Sequence, residues 1–541
     1  MLIRNSFPTV VTLLVTALAC APSEKNASVL TDDIPICGTV QFSDGCSDEL
    51  DPMIAYGLAL IHHMTYEEAD KVFTKVSEAD ETCFWGPWGK ALSVIHPLWN
   101  DPPSEERFKA GADLSQAAMK LATTEKEMAY GRTLAAYYEG GLQTPERERL
   151  KNFHGAWELA FNANQDDLEA KAFYALSMIA VADPTDKTFA SQLKAGALAE
   201  EVLLEIQDHP GAFHYIIHAY DYPGLSSKAI QVANTYGTIA PEIPHALHMP
   251  SHIFTRLGMW KESIEWNTRS AAAAMKNPVG GAISMHYFHA MDYMMYSHLQ
   301  RGEVTKARAV LEEMKGRSGP FHAHNATAYA LAAGEGRFHL ERMDWKSASM
   351  MSLPASGEFP WEKFPDSRAL NAFAIGLGAA RSGPVERAEM AMKSLDSLKP
   401  SIKHPYFLGQ VDVQKNIIKA WLALGKGKKK DAVELMRQAC DLEWATEKHP
   451  ITPGELLPSR ELFGDMLVET NSPKEALEQY EMSLRRSPNR LNSLYGAARA
   501  AELSGDHEKA KEYYTKVVEL TSDSGDILER RQSAMEKLSS L

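Results

Sequence analysis

Nine of the chain's nineteen histidines fall between residues 209 and 298, where an even spread would place about three. Leaving aside His209 and His298 at its ends, they come in three groups: His214 and His218 followed by Asp221; His245, His248 and His252; and His286 and His289 followed by Asp292 and Tyr296. Steps of three, four and seven put most of each group on one face of a helix. Two imidazoles at i and i+4 are a usual way for a helix to offer two metal ligands, and a carboxylate in the same patch suits Zn, Fe, Mn or Cu(II). We therefore take His214, His218, Asp221, His245, His248, His252, His286 and His289 as candidate ligands of a divalent transition metal, and Asp292 and Tyr296 as candidate contacts for a bound ligand. A metal held there would lower the pKa of a bound water for hydrolysis, or cycle its redox state, with a histidine or Asp221 as general base. Met249, Met291, Met294 and Met295 would add soft ligands for Cu(I), but methionine at helical spacing is more often core. The plainer alternative is that these histidines only hydrogen-bond between helices.

The elements that must position them are helices. From about residue 51 the chain reads as helix after helix, with apolar residues recurring at three and four and a capping-box start at Thr65-Tyr66-Glu67-Glu68. Thr144 before Pro145 is a second helix start. A glycine followed five residues later by a small residue recurs at Gly224 with Ala229, Gly258 with Ser263, Gly302 with Ala307 and Gly505 with Ala510. Gly224 to Gly258 is 34 residues and Gly258 to Gly302 is 44, which implies a ten-residue insertion around residues 277–283. A 34-residue period of paired helices resembles the tetratricopeptide repeat, whose units cannot bury their apolar faces alone and stack into a curved solenoid.

In that register His214 maps onto His248 and His218 onto His252; His245 maps onto His289, His248 onto Asp292 and His252 onto Tyr296. These places resemble those that line the concave groove of tetratricopeptide proteins, so the resemblance implies that three adjacent helices aim their imidazoles and carboxylates at one patch. Pro250, inside the second group, can kink or begin a helix there and turn His248 away from His252. His62, His63 and His96 read as packing or capping residues, and Trp85, Trp88, Trp99, Trp260 and Trp266 as packing between helices.

A closer likeness rests on Val40-Gln41-Phe42, Ser43-Asp44-Gly45-Cys46, Tyr66-Glu67-Glu68-Ala69, Cys83-Phe84-Trp85-Gly86-Pro87-Trp88 and His96-Pro97-Leu98-Trp99, with the segments from His209 to His218 and from His245 to Phe254. Together they resemble a family of exported bacterial tetratricopeptide-repeat proteins. The chain departs from it at Glu81-Thr82, where many relatives carry an acidic residue and a proline. The likeness implies fold and export and leaves the activity open.

Composition narrows the partners. The formal charge of -15 argues against nucleic acid, which is held by clustered Lys and Arg, and the basic run at residues 426–430 reads as a solvated turn. Residues 1–20 have the plan of a secretory signal peptide, too short for a membrane span; Leu18-Ala19-Cys20 resembles the end of a bacterial lipoprotein box, and Ala17-Leu18-Ala19 fits simple cleavage. The expected location is thus an outer-membrane lipoprotein or the periplasm, or secretion, with membrane contact only through an N-terminal lipid. An exported chain tolerates disulfides, and both Cys37 with Cys46 and Cys46 with Cys83 are open, while Cys440 reads as a buried thiol. Phosphate-loop, HExxH and GxSxG motifs do not occur.

The expected architecture is an all-α, tetratricopeptide-like solenoid: 21–50 a tether and cysteine-bearing segment, 51–352 a histidine-rich array, 353–365 a Pro/Gly/Ser-rich break, and 366–541 further repeats. Its expected function is to bind a peptide, protein or small ligand in the concave groove beside a His/Asp metal site. One alternative is a metal-dependent hydrolase or oxidoreductase using the same cluster; another is a pure protein-protein scaffold.

Overall fold

The computed structural model describes residues 35–42, 46–99, 101–354 and 359–540. The signal-peptide and lipid-anchor readings, and the tether up to residue 34, lie outside them. Pro35–Leu541 is one compact unit. Among the described residues every long element is a helix, and the only β-type pairings are two isolated bridges, Val279 with Ala282 and Ile283 with Phe321.

Helical hairpins follow one another as the periodicity predicts: Asp51–His62 with Tyr66–Ala79, Glu105–Leu121 with Glu125–Tyr138, Glu146–Ala163 with Leu168–Val181. The capping box expected at Thr65 does not form, because its hydroxyl donates to Leu60 O at 3.0 Å instead. A box forms at Thr124, whose hydroxyl accepts from Glu127 N while the Glu127 carboxylate accepts from Thr124 N. In the four Gly-plus-five units the small residues Ala229, Ser263, Ala307 and Ala510 are all fully buried, the close helix contact the pattern implies. The insertion at residues 277–283 is a turn that pairs with residues 320–322: Ile283 N donates to Pro320 O and His322 N to Ile283 O, each at 2.9 Å.

Cysteine pairing takes one of the two open alternatives: Cys46 bonds to Cys83, and Cys37 and Cys440 are buried free thiols. The Pro/Gly/Ser-rich break at 353–365 does not end the core, since one buried apolar cluster runs from Tyr329 to Ala534 across it.

The solenoid closes on itself. The non-helical stretch at 445–458, between Lys429–Trp444 and Ser459–Glu469, is buried from 452 onward. Tyr293 Oη donates to Pro450 O at 2.9 Å and Thr452 O at 3.0 Å, and Arg337 donates to Glu455 O at 3.1 Å and Gly454 O at 3.3 Å. Gly258 and Gly302 sit in the left-handed region with φ of +67° and +69°, and a Cβ on either would run into Pro488 or Leu528 of the returning repeats.

Arg490 anchors this closure. Its guanidinium is fully buried and forked by two carboxylates, Glu341 at 3.0 Å and Glu461 at 2.9 Å, and it also donates to Tyr296 Oη at 3.0 Å. Arg490→Ala would strand two buried carboxylates, and we expect a loss of about 3–5 kcal/mol in urea unfolding; an unchanged unfolding midpoint would show that the closure does not depend on this group.

Candidate metal centre

Three helical stretches supply the imidazoles. Pro210–Tyr220 carries His214 and His218, the joined pieces Pro244–His248 and Pro250–Leu257 carry His245, His248 and His252, and Met285–Gln300 carries His286 and His289. Pro250 does not turn the second group apart: Met249 keeps helical angles (φ −52°, ψ −39°), and His248 Nε2 lies 3.1 Å from His252 Nε2. His214 Nε2 and His218 Nε2 make a second pair at 3.1 Å. His245 joins the first pair and His289 the second, so that the ligand atoms of each three-histidine set lie within 4.8 Å of one another.

The sets adjoin. Ring centres are 6.1 Å apart for His218 and His252, 5.0 Å for His214 and His245, and 4.2 Å for His248 and His289. His286 stands 5.2 Å from His245, at the edge of the cluster. Burial, the largest influence on each, holds His214, His245, His248 and His289 well below the ordinary imidazole range and His218 at about 3, so the rings are neutral at pH 7.

Hydrogen-bond partners assign the protons. Asn267 Nδ2 donates to Ser263 O, which leaves Oδ1 to accept from His248 Nδ1–H at 2.7 Å. Asp221 Oδ2 accepts from His252 Nδ1–H at 3.0 Å, and His62 O accepts from His214 Nδ1–H at 2.6 Å. With Nδ1 protonated, the Nε2 atoms of His248 and His252 both present lone pairs, 3.1 Å apart. Two facing lone pairs repel unless a cation lies between them. Tetrahedral zinc with bonds of about 2.0–2.1 Å spaces its ligand nitrogens about 3.3 Å apart, close to this geometry. His245 adds that neither of its buried ring nitrogens has a hydrogen-bond partner, an arrangement that costs free energy unless something ligates it.

Asp221 orients rather than faces the imidazoles. Its carboxylate takes Arg256 Nε at 2.8 Å and Lys448 Nζ at 3.4 Å as well as His252. Burial opposes its ionisation, but Lys448 and Arg256 outweigh it and hold the carboxyl well below the usual range. The same burial pushes Lys448 down to about 8. Asp292 and Tyr296 are engaged by arginines instead. Asp292 is fully buried and accepts from Arg337 Nε at 3.2 Å, and Tyr296 is held by Arg490 with Trp260 edge-on at 5.4 Å.

A third buried group was not legible as a unit. Glu169 accepts from His62 Nε2 at 2.7 Å and His209 Nε2 at 2.8 Å, while Ala212 N donates to His209 Nδ1 and Tyr215 Oη lies 2.8 Å from His62 Nδ1. Each ring nitrogen there already has a protein partner, so this triad is complete without an ion. His63, bonded to Cys37 O and Tyr236 Oη, is a packing residue, and His298 pairs with Glu303. Sequence reasoning missed Asn267, Arg256 and Lys448, which fix the tautomers and the charge. Asn267, four residues after the small Ser263, was open to a register argument; Lys448, 227 residues from Asp221, carried no local signal.

The Tetratricopeptide repeat family model matches residues 491–524, the helices Leu491–Ser504 and His507–Leu520. No curated protein matches the chain. Among solved structures it is similar to the human IFIT1 dimer with m7Gppp-AAAA, at 12% identity and a TM-score of 0.37 over 77% of this chain and 88% of that one. A monomeric IFIT1 mutant with Gppp-AAAA is similar at 12% identity and a TM-score of 0.37, over 89% of this chain and 96% of that one. The chain is an all-α solenoid of tetratricopeptide type.

The buried neutral imidazoles set a pH dependence. His63, held at about 3 mainly by burial, stays neutral in the folded chain while the unfolded chain takes up a proton below its ordinary 6.5. Stability is therefore fully present above pH 6.5 and drains as pH falls toward 3, by about 1.4 kcal/mol per pH unit for each histidine so held. Calorimetry of metal-stripped protein from pH 7 to 4.5 should show a steep fall in Tm; a flat profile would contradict the buried neutral state.

Proposed function

We propose that this chain is a transition-metal protein of the cell envelope, in which a closed tetratricopeptide-type solenoid holds metal in two adjoining three-histidine sets and presents it to a small ligand. The observation that carries the reading is the facing Nε2 pair of His248 and His252, both lone pairs by the bonding of their other nitrogens. Asn267 and Asp221 act as the outer ligands that orient metal-binding imidazoles. All-histidine sets suit Zn(II) or copper, and Fe or Mn would draw on carboxylates that here are engaged elsewhere.

A small ligand is favoured over a peptide or protein partner, because residues 450–455 already run along the histidine-bearing helices with their carbonyls bonded to Tyr293 and Arg337. One observation supports a catalytic form of the same reading, hydrolase or oxidoreductase. A cavity of about 60 Å³ abuts both sets, lined by His218, His245, His252, His286 and His289, with room for water or a small substrate at an open metal position. The Cys46–Cys83 disulfide supports an oxidising compartment, in keeping with the exported, lipid-anchored or periplasmic placement read from residues 1–20.

Elemental analysis tests the reading. After incubation with Zn(II) or Cu(II) and desalting, the protein should retain about two ions, and a His248→Ala/His252→Ala variant about one. Asp221→Asn should weaken retention by about 10–100-fold without abolishing it. Equal, near-zero metal in all three would end the proposal.

A further inference from the structure

A second cavity, of about 100 Å³, lies beside the first and shares Trp99, Met285, His286 and His324 with it. Its wall departs from the packing role expected of Trp99. That ring stands edge-on to His245 at 5.7 Å, His286 at 5.9 Å and His324 at 5.7 Å, between the histidine cluster and the outer cavity. Tyr66 stacks on His96 at 4.3 Å and meets Trp99 edge-on at 5.3 Å, so the outer cavity has an aromatic side. Pro278 and Val279, from the insertion that breaks the 34-residue register, form part of its rim.

Four polar groups in this wall lack a partner: Tyr66 Oη, His286 Nδ1, His322 Nδ1 and His324 Nε2 are buried without a hydrogen bond. Ala326 N donates to His324 Nδ1 at 3.1 Å, so the proton of neutral His324 sits on Nε2, which is a donor and not a metal ligand. The hydroxyl of Tyr66 is likewise a free donor. Leaving such groups buried and unmet is costly, and a ligand with edge acceptors would recover that cost. The charged lining residues Glu67, Glu68 and Arg107 are exposed at the rim, and Asp101, bonded to His96 through one oxygen, is partly exposed as well, so the buried aromatic side carries no charge of its own.

We propose that this outer cavity binds an uncharged, flat small molecule with an aromatic body and hydrogen-bonding oxygen on its edge, and that Trp99 and His286 direct it to the metal cluster. Binding stands on the cavity's own groups; only the delivery rests on the metal reading. The size and the pairing of aromatic faces with two neutral donors match a phenol-sized compound rather than a nucleotide or peptide.

The test uses the full chain, metal-loaded and metal-stripped, with phenol, benzoate and benzylamine as probes that share one ring and differ in charge. Phenol should bind about tenfold more tightly than either ion, and Tyr66→Phe, which keeps the ring and removes the donor, should weaken phenol about five- to tenfold with retained metal unchanged. Trp99→Leu should abolish the selectivity, and Tyr66→Phe decides the matter alone if that variant does not fold. Equal affinity for the three probes, or unchanged phenol binding in Tyr66→Phe, overturns the proposal even if metal is retained. Selective phenol binding by protein that retains no metal sustains the cavity and refutes the metal reading separately.

Discussion

The returning C-terminal repeats take polar groups out of water, and a group so buried is costly unless a protein partner meets it. Arg490 shows what this demands. A guanidinium taken fully out of water is tolerated because two carboxylates and a tyrosine hydroxyl meet its donors. Residues 450–455 cross the interior with no helix to satisfy them, and Tyr293 and Arg337 supply donors to their carbonyls. Gly258 and Gly302 let the two parts approach where a side chain would collide.

The same dehydration gives the histidine cluster its chemistry. Out of water the imidazoles shed their protons, and a neutral imidazole is the form that ligates metal. Which nitrogen is free then depends on what the other one touches: Asn267 for His248, Asp221 for His252, the His62 carbonyl for His214. The His62–Glu169–His209 triad is equally buried but bonded throughout, so an abundance of buried histidine is not what distinguishes the proposed centre. The distinguishing feature is two acceptors turned toward each other.

A tetratricopeptide groove ordinarily suggests a peptide ligand, whereas here Pro450 and Ile451 of the chain itself line the cavity beside the histidines. Two small adjoining cavities lie near the histidines, with Trp99 in the wall of both. The insertion at 277–283, an irregularity when viewed as repeat register, contributes to the outer cavity, which is where loops on a rigid scaffold often carry function.

Local pattern was enough for the helices, the 34-residue register and the grouping of seven histidines, because helical spacing and repeat equivalence are properties of short stretches of sequence. The Gly-plus-five rule even located the buried small residues Ser263 and Ala307. It did not reveal that Asp292 and Tyr296, equivalent by register to His248 and His252, belong to the arginine pairs that close the molecule. Nor did it find Lys448, Asn267 or Trp99 as partners of the cluster, or choose between the two disulfides. Those outcomes depend on which distant groups meet once water is removed, and desolvation is a property of the closed solenoid that no single repeat possesses.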